Sequence, residues 1–259
     1  QLNGRFFRVK NVNAVANTFE LADADNNNID TTNYTAYTAG GTMAPVYEIT
    51  TPYLEADLFS LHYAQSADVM TITHPSYQQR ELRRLAATNW TLTTLSMAPT
   101  IGTPGAPTVV ATGAGPTTYT YRTTAIGADG IEESAPGATA SVTNDLTIAG
   151  NYNSITPAAV AGAIRYNIYK QLAGLYGYIG QSSGAGFADV NITPDMSQTP
   201  PEVFDPFPSA GNYPAAVGYF KGRRWFAGTT NKPLNVYATR AGTESNMTFS
   251  IPQQDDDAI

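Results

Sequence analysis

Short runs in which β-branched and aromatic residues alternate with polar ones recur along this chain, set between clusters of Gly, Pro and Asn. Thr117–Ile126, TTYTYRTTAI, is the clearest of them. Successive side chains of a strand point to opposite faces, so this pattern suits sheets and not helices. Apolar residues at helical spacing are sparse. The expected fold class is therefore all-β, with many short strands. At 259 residues and 42% hydrophobic, the chain can bury a real core in one large or several small domains. Charged residues make up only 14%, so Thr, Asn, Ser, Gln and Tyr must cover much of the surface.

The same numbers exclude several functions. Net charge is −7 and no basic run exists, which leaves no footprint for sequence-specific nucleic acid. The absence of cysteine removes disulfides, thiolate metal sites and Cys nucleophiles together, and fits assembly in a reducing cytosol. No apolar run approaches the roughly 18 residues of a membrane helix, so no membrane segment is expected. No signal-peptide pattern is visible. The chain begins at Gln1, ends in DDDAI and is read as a fragment of a longer polypeptide.

Residues 1–48 read as a small β unit. GRFFRVKNV and NTFELADA are strands around a turn at Asn13–Asn17, and TNYTAYTAGGTMAPVYEI is punctuated by Gly40 and Gly41. The best helix lies within 51–67, with Thr51 as cap, Pro52 at the first position and Leu54, Leu58 and Leu61 at helical spacing. Val69–His74 alternates as a strand that Pro75 ends, and a turn or short helix carries Arg80, Arg83 and Arg84. The Pro/Gly linkers 99–108 and 193–208 bracket an inserted domain at 103–204. Segments 49–102 and 205–259 then form one core that continues beyond the fragment.

Candidate chemistry is thin. His62 and His74 are the only histidines, too few for a zinc site or a triad without cysteine. His74 before Pro75 is expected to end a strand and hydrogen-bond locally. Asp255, Asp256 and Asp257 could bind a divalent cation, but consecutive strand residues face opposite ways, and a solvated loop or subunit contact is the better reading. Glu132 and Glu133 are adjacent turn residues, poorly arranged for a glycosidase pair. The doubled arginines Arg83–Arg84 and Arg223–Arg224 could touch phosphates, but ion pairing within or between subunits is favoured. Of Tyr119, Tyr121, Tyr166, Tyr169, Tyr176 and Tyr178, alternation sends half to the core and leaves the rest to stack sugars or anchor interfaces. Gly113–Gly115 and Gly184–Gly186 open no helix and are not phosphate loops. No catalytic residue, cofactor or metal is expected.

Two segments carry a family resemblance. AQSADVMTITHPSYQQRELRRL (64–85) and GRRWFAGTTNKPLNVYATRAGTESNMTFS (222–250) resemble the tail nozzle or tail tubular proteins of short-tailed bacteriophages. GRFFRVKNVNAVANTFEL…GG resembles the small β-barrel module first named in ubiquitin-activating enzymes, which implies architecture only. YTYRTTAIGADGIEESAPG and AGAIRYNIYK resemble the penultimate and central strands of fibronectin type III domains, in reversed order, as in a rearranged sandwich. The resemblance implies a viral structural protein from a phage or prophage, made in the host cytoplasm and placed in the virion tail. It implies a ring of identical copies, hexameric at full length, that contacts neighbouring tail proteins. His74, Pro75, Arg83, Arg84, Arg223, Arg224 and Trp225 fall in these segments and are the expected structural or interface residues. The alternatives are a β-sandwich that binds a host-surface glycan or tail fibre, and a tail-associated polysaccharide hydrolase.

Overall fold

The computed structural model describes residues 2, 4–36, 38–42 and 46–259, and the chain divides into two units at Tyr47/Glu48. Tyr37 and Met43–Pro45, part of the stretch around Gly40 and Gly41, lie outside the described residues. Strands dominate the described structure, all paired antiparallel, and the only helix is a short 3-10 turn. The all-β expectation is met.

In the first unit, β1 (Arg8–Asn13) pairs with β2 (Thr18–Ala22), Val9 opposite Leu21 and Lys10 opposite Glu20. The Asn13 side chain makes the turn by accepting hydrogen bonds from the backbone N–H of Val15 (3.0 Å) and Ala16 (2.9 Å). The small barrel expected here does not form among the described residues. Two strands are too few to close a sheet, and among the described residues of this unit Ala22 is the only hydrophobic side chain buried.

The second unit begins with the segment expected to be helical. Only Glu55–Ser60 is helical, as a 3-10 turn, and it buries none of its residues. Leu54 sits at its cap with no side-chain hydrogen bond, so Thr51 plays no capping part. His62–Ser66 is instead a strand, β3. The leucine stripe has no surface to pack against, whereas an extended β3 gains a full ladder with β4 (Val69–His74). β5 (Tyr77–Ala86) corrects a second expectation, because Arg80, Arg83 and Arg84 lie in this long strand and not in a turn or helix. YQQRELRRLA is rich in helix formers, but it pairs with β4 on one side and β6 (Asn89–Thr94) on the other, and sheet pairing overrides the local preference.

The seven strands between Thr108 and Asp189 form a sandwich, whereas Glu202–Val203, inside the expected 103–204 domain, pairs outside it with Thr248–Phe249. One sheet has the order β12–β11–β8–β9, from β8 (Thr117–Ile126), β9 (Ala140–Asn144), β11 (Arg165–Leu172) and β12 (Leu175–Ser182). The other has the order β13–β10–β7, from β7 (Thr108–Ala111), β10 (Asn153–Thr156) and β13 (Phe187–Asp189). Tyr121, Ile155, Ile168 and Ile179 fill the space between them. β8 and β11, the strands that resembled the penultimate and central strands of a fibronectin domain, are hydrogen-bonded neighbours with Tyr121 opposite Lys170.

The remainder supplies a second core. β15 (Ala216–Phe220), β16 (Arg223–Ala227) and β17 (Val236–Ala238) make a three-stranded sheet that packs through β15 on β3 and β4. β14 (Glu202–Val203) pairs with β18 (Thr248–Phe249). Leu95, Met97, Phe207, Phe226, Tyr237, Met247 and Ala258 converge here. Phe207 meets Phe226 and Tyr237 edge to face at 5.2 and 5.4 Å. Among the described residues no helix is long and apolar enough to cross a membrane.

Candidate functional site

Strand alternation sends neighbouring arginines of β16 to opposite faces. Arg224 shares its face with the core residue Phe226, and its side chain is fully buried. It survives there through partners. It donates to Glu81 Oε1 of β5 at 2.8 Å, to Glu244 Oε2 at 2.8 Å and to the Tyr219 hydroxyl at 3.0 Å. Arg83 donates to the other Glu81 oxygen at 2.5 and 2.9 Å. Both Glu81 oxygens are thus held by guanidinium groups, which is what a carboxylate needs to offset its lost hydration.

Arg223 takes the opposite face. Its guanidinium donates to the carbonyls of Thr239 (2.9 Å), Asp255 (2.7 Å) and Asp257 (2.5 Å), and so ties 255–257 to the sheet. Only the planar fork of arginine reaches three carbonyls this way. Asp257 corrects the reading of the acidic run as solvated. It is buried, and its carboxylate accepts from the Ser250 N–H (2.7 Å) and the Gln254 N–H (2.8 Å), while Asp255 and Asp256 are exposed. Arg240 reaches Asp256 at 2.7 Å and Asp257 at 3.7 Å.

The other expected residues lie apart from this cluster. Arg84 faces Asp68 at 3.6 Å with both side chains half exposed. His74 is buried at the end of β4, where its Nδ1 accepts from the Ser76 N–H at 3.0 Å and its ring lies 5.1 Å from Tyr77. Pro75 makes the turn that follows. Trp225 donates through Nε1 to the Phe220 carbonyl at 3.0 Å.

The sandwich holds two polar groupings that the sequence reading missed, the first buried and the second partly so. In the first, Asp189 accepts at one oxygen from Lys170 Nζ (2.8 Å) and the Tyr121 hydroxyl (2.7 Å), and at the other from the Ile192 N–H (2.7 Å). Asn153 donates to the Tyr121 oxygen at 2.8 Å and accepts from Asn144 at 2.8 Å. The chain of contacts joins the two sheets. Burial holds the Tyr121 hydroxyl well above the ordinary tyrosine range, with the neighbouring Asp189 acting in the same direction. In the second grouping, Glu133 Oε1 accepts from Thr124 (2.5 Å), Tyr169 (2.7 Å) and Asn167 (2.9 Å). Burial, then the Glu133 charge, raises Tyr169 well above its usual value. Glu132 points elsewhere and accepts from the Thr100 N–H at 2.7 Å. A legible signal existed for the first grouping: Tyr166, Ile168 and Lys170 alternate along β11, which commits the lysine to the inward face.

A groove of about 410 Å³ runs past Thr117–Tyr119, Lys170–Gly174 and Asn191–Pro194. Lys170 borders it, 5.1 Å from the Tyr119 ring, but is committed to Asp189 and the Ile192 carbonyl. Among the described residues no cluster of three His, Asp or Glu side chains is arranged to hold a metal ion. Lys170, Arg224 and Glu133 are each engaged with partners inside the chain. No protein-family model matches the chain, and no curated protein does.

Proposed function

We propose that this chain is a structural component of a bacteriophage or prophage tail, of the nozzle or tail-tube type, which acts by assembly with other copies and neighbouring tail proteins. One observation carries the reading. The two segments that resemble that family, 64–85 and 222–250, lie far apart in sequence, yet the buried Glu81–Arg224 pair joins them into one packed body. Two separate resemblances to one family gain weight when the residues that carry them depend on each other. The charged side chains that a sequence reader would assign to chemistry are instead engaged in packing. Peptide mass spectrometry and electron microscopy of purified phage particles test the reading. The expected result is the protein in stoichiometric amount within a tail ring. A soluble monomer absent from particles would overturn it.

A further inference from the structure

We propose that Lys170 and Asp189 react with each other to form an amide bond between Nζ and Cγ, a covalent link between the two sheets of the sandwich. The link stands apart from the assembly reading. Lys170 lies on β11 of one sheet and Asp189 on β13 of the other. Their side chains are 7% and 0% exposed and meet at 2.8 Å. Tyr121 and Tyr119, which touch the pair, belong to the sandwich core or pack against it. Two separated charges are costly in such surroundings, and the neutral amide escapes that cost. The other enclosed pair differs. Glu81 there meets Arg224, whose guanidinium keeps its proton and is no nucleophile. A lysine that passes on one proton becomes a nucleophilic amine.

The two oxygens of Asp189 have different partners, and each suits a different part in the reaction. Oδ1 accepts from the Ile192 N–H at 2.7 Å, a fixed donor for charge that develops on that oxygen. Oδ2 accepts from both Lys170 Nζ and the Tyr121 hydroxyl, at 2.8 and 2.7 Å. Asn153 donates to the Tyr121 oxygen at 2.8 Å, which aims the tyrosine proton at Asp189. The Ile192 carbonyl accepts from Nζ at 3.0 Å and holds the lysine in place. The step balances without a co-reactant. Nζ passes one proton to Oδ2, and its lone pair attacks Cγ while the Cγ–Oδ1 double bond opens onto Oδ1. Tyr121 gives its proton to Oδ2 and recovers the second proton from Nζ. The Cγ–Oδ2 bond breaks, one water leaves and the Oδ1 carbonyl reforms. Nothing is oxidised or reduced. The bond ties β13, three residues long, to β11 in a chain that has no cysteine for a disulfide.

Mass spectrometry of the full chain, denatured after folding, tests this. The expected mass is that of the sequence less one water. Trypsin should then fail to cut after Lys170. Because 171–220 contains no Lys or Arg, the product is a looped 166–221 peptide that is lighter by one water. Lys170→Arg and Asp189→Ala should each restore the full mass. Tyr121→Phe, checked as folded by circular dichroism, should slow the loss of water in a cell-free synthesis by about 100-fold or more. A wild-type chain of full mass, cut normally after Lys170, is a plain ion pair and overturns the proposal. Water lost while trypsin still cuts after Lys170 places the loss in an aspartyl succinimide and overturns it equally. An unchanged rate in Tyr121→Phe overturns the step as written.

Discussion

Arg224 shows how much a buried charge depends on its partners. Removing it leaves Glu81 buried with half of its support, and the loss of one member of a buried pair costs about 3–5 kcal/mol. Arg224→Met should therefore lower unfolding stability in urea by that order. Arg84→Ala breaks a half-exposed 3.6 Å pair and should cost no more than about 1 kcal/mol. Equal effects of the two substitutions would refute the buried-pair account. Tyr121 and Tyr169 give a pH dependence of definite sign. Their folded values are raised, so above about pH 10 the unfolded chain releases protons that the folded chain keeps. Their contribution is complete below that pH and is lost as pH rises, by at most about 1.4 kcal/mol per pH unit for each hydroxyl. Stability measured from about pH 8 to about pH 11 should fall, and Tyr169→Phe should flatten the fall. A steeper fall in the variant would reverse the assignment.

At the level of single elements, β12 carries a demanding local geometry. The register slips between Ile168 and Tyr169, where β12 bulges around Ile179 and Gly180. A Cβ on Gly180 would overlap the Phe187 ring, a residue of the facing sheet. Gly180→Ala should cost about 1–3 kcal/mol through overpacking. Gly218→Ala, at a strand site with open space and ordinary φ, should change stability by less than about 0.5 kcal/mol. Thermal unfolding of the two variants checks the contrast. The strands with clean alternation, β4, β8 and β11, were legible because period two leaves one reading. β5 and β3 were not. Their residues suit a helix locally, and only pairing with β4 and β6, set by distant sequence, decides against it.

Among the described residues two core clusters share no residue. The sandwich core lies within 109–192, and the other draws only on residues before 98 and after 206. Contacts do cross between them: Glu132 accepts from the Thr100 N–H, Thr199 from the Ile251 N–H at 3.1 Å, and Gln254 donates to the Ser197 carbonyl at 3.1 Å. A short ladder crosses as well, Glu202–Val203 pairing with Thr248–Phe249, while the two core clusters themselves have no residue in common. Replacing 103–200 with a short Gly/Ser linker, which keeps β14, should leave a remainder that unfolds in one cooperative transition by circular dichroism. Loss of that transition would mean that the crossing contacts hold the remainder together.

The sequence by itself determined the strand-rich class, the turn chemistry around Asn13–Asn17 and the local bonding of His74, because alternation and side-chain-to-backbone hydrogen bonds act over a few residues. Only the tertiary structure decided which charges would be buried and with whom. Arg224 finds Glu81, Lys170 finds Asp189 and Asp257 finds the Ser250 backbone through pairings that sheet packing creates. A buried charge is tolerable only when a partner arrives with it, and nothing in the local sequence states where that partner will be.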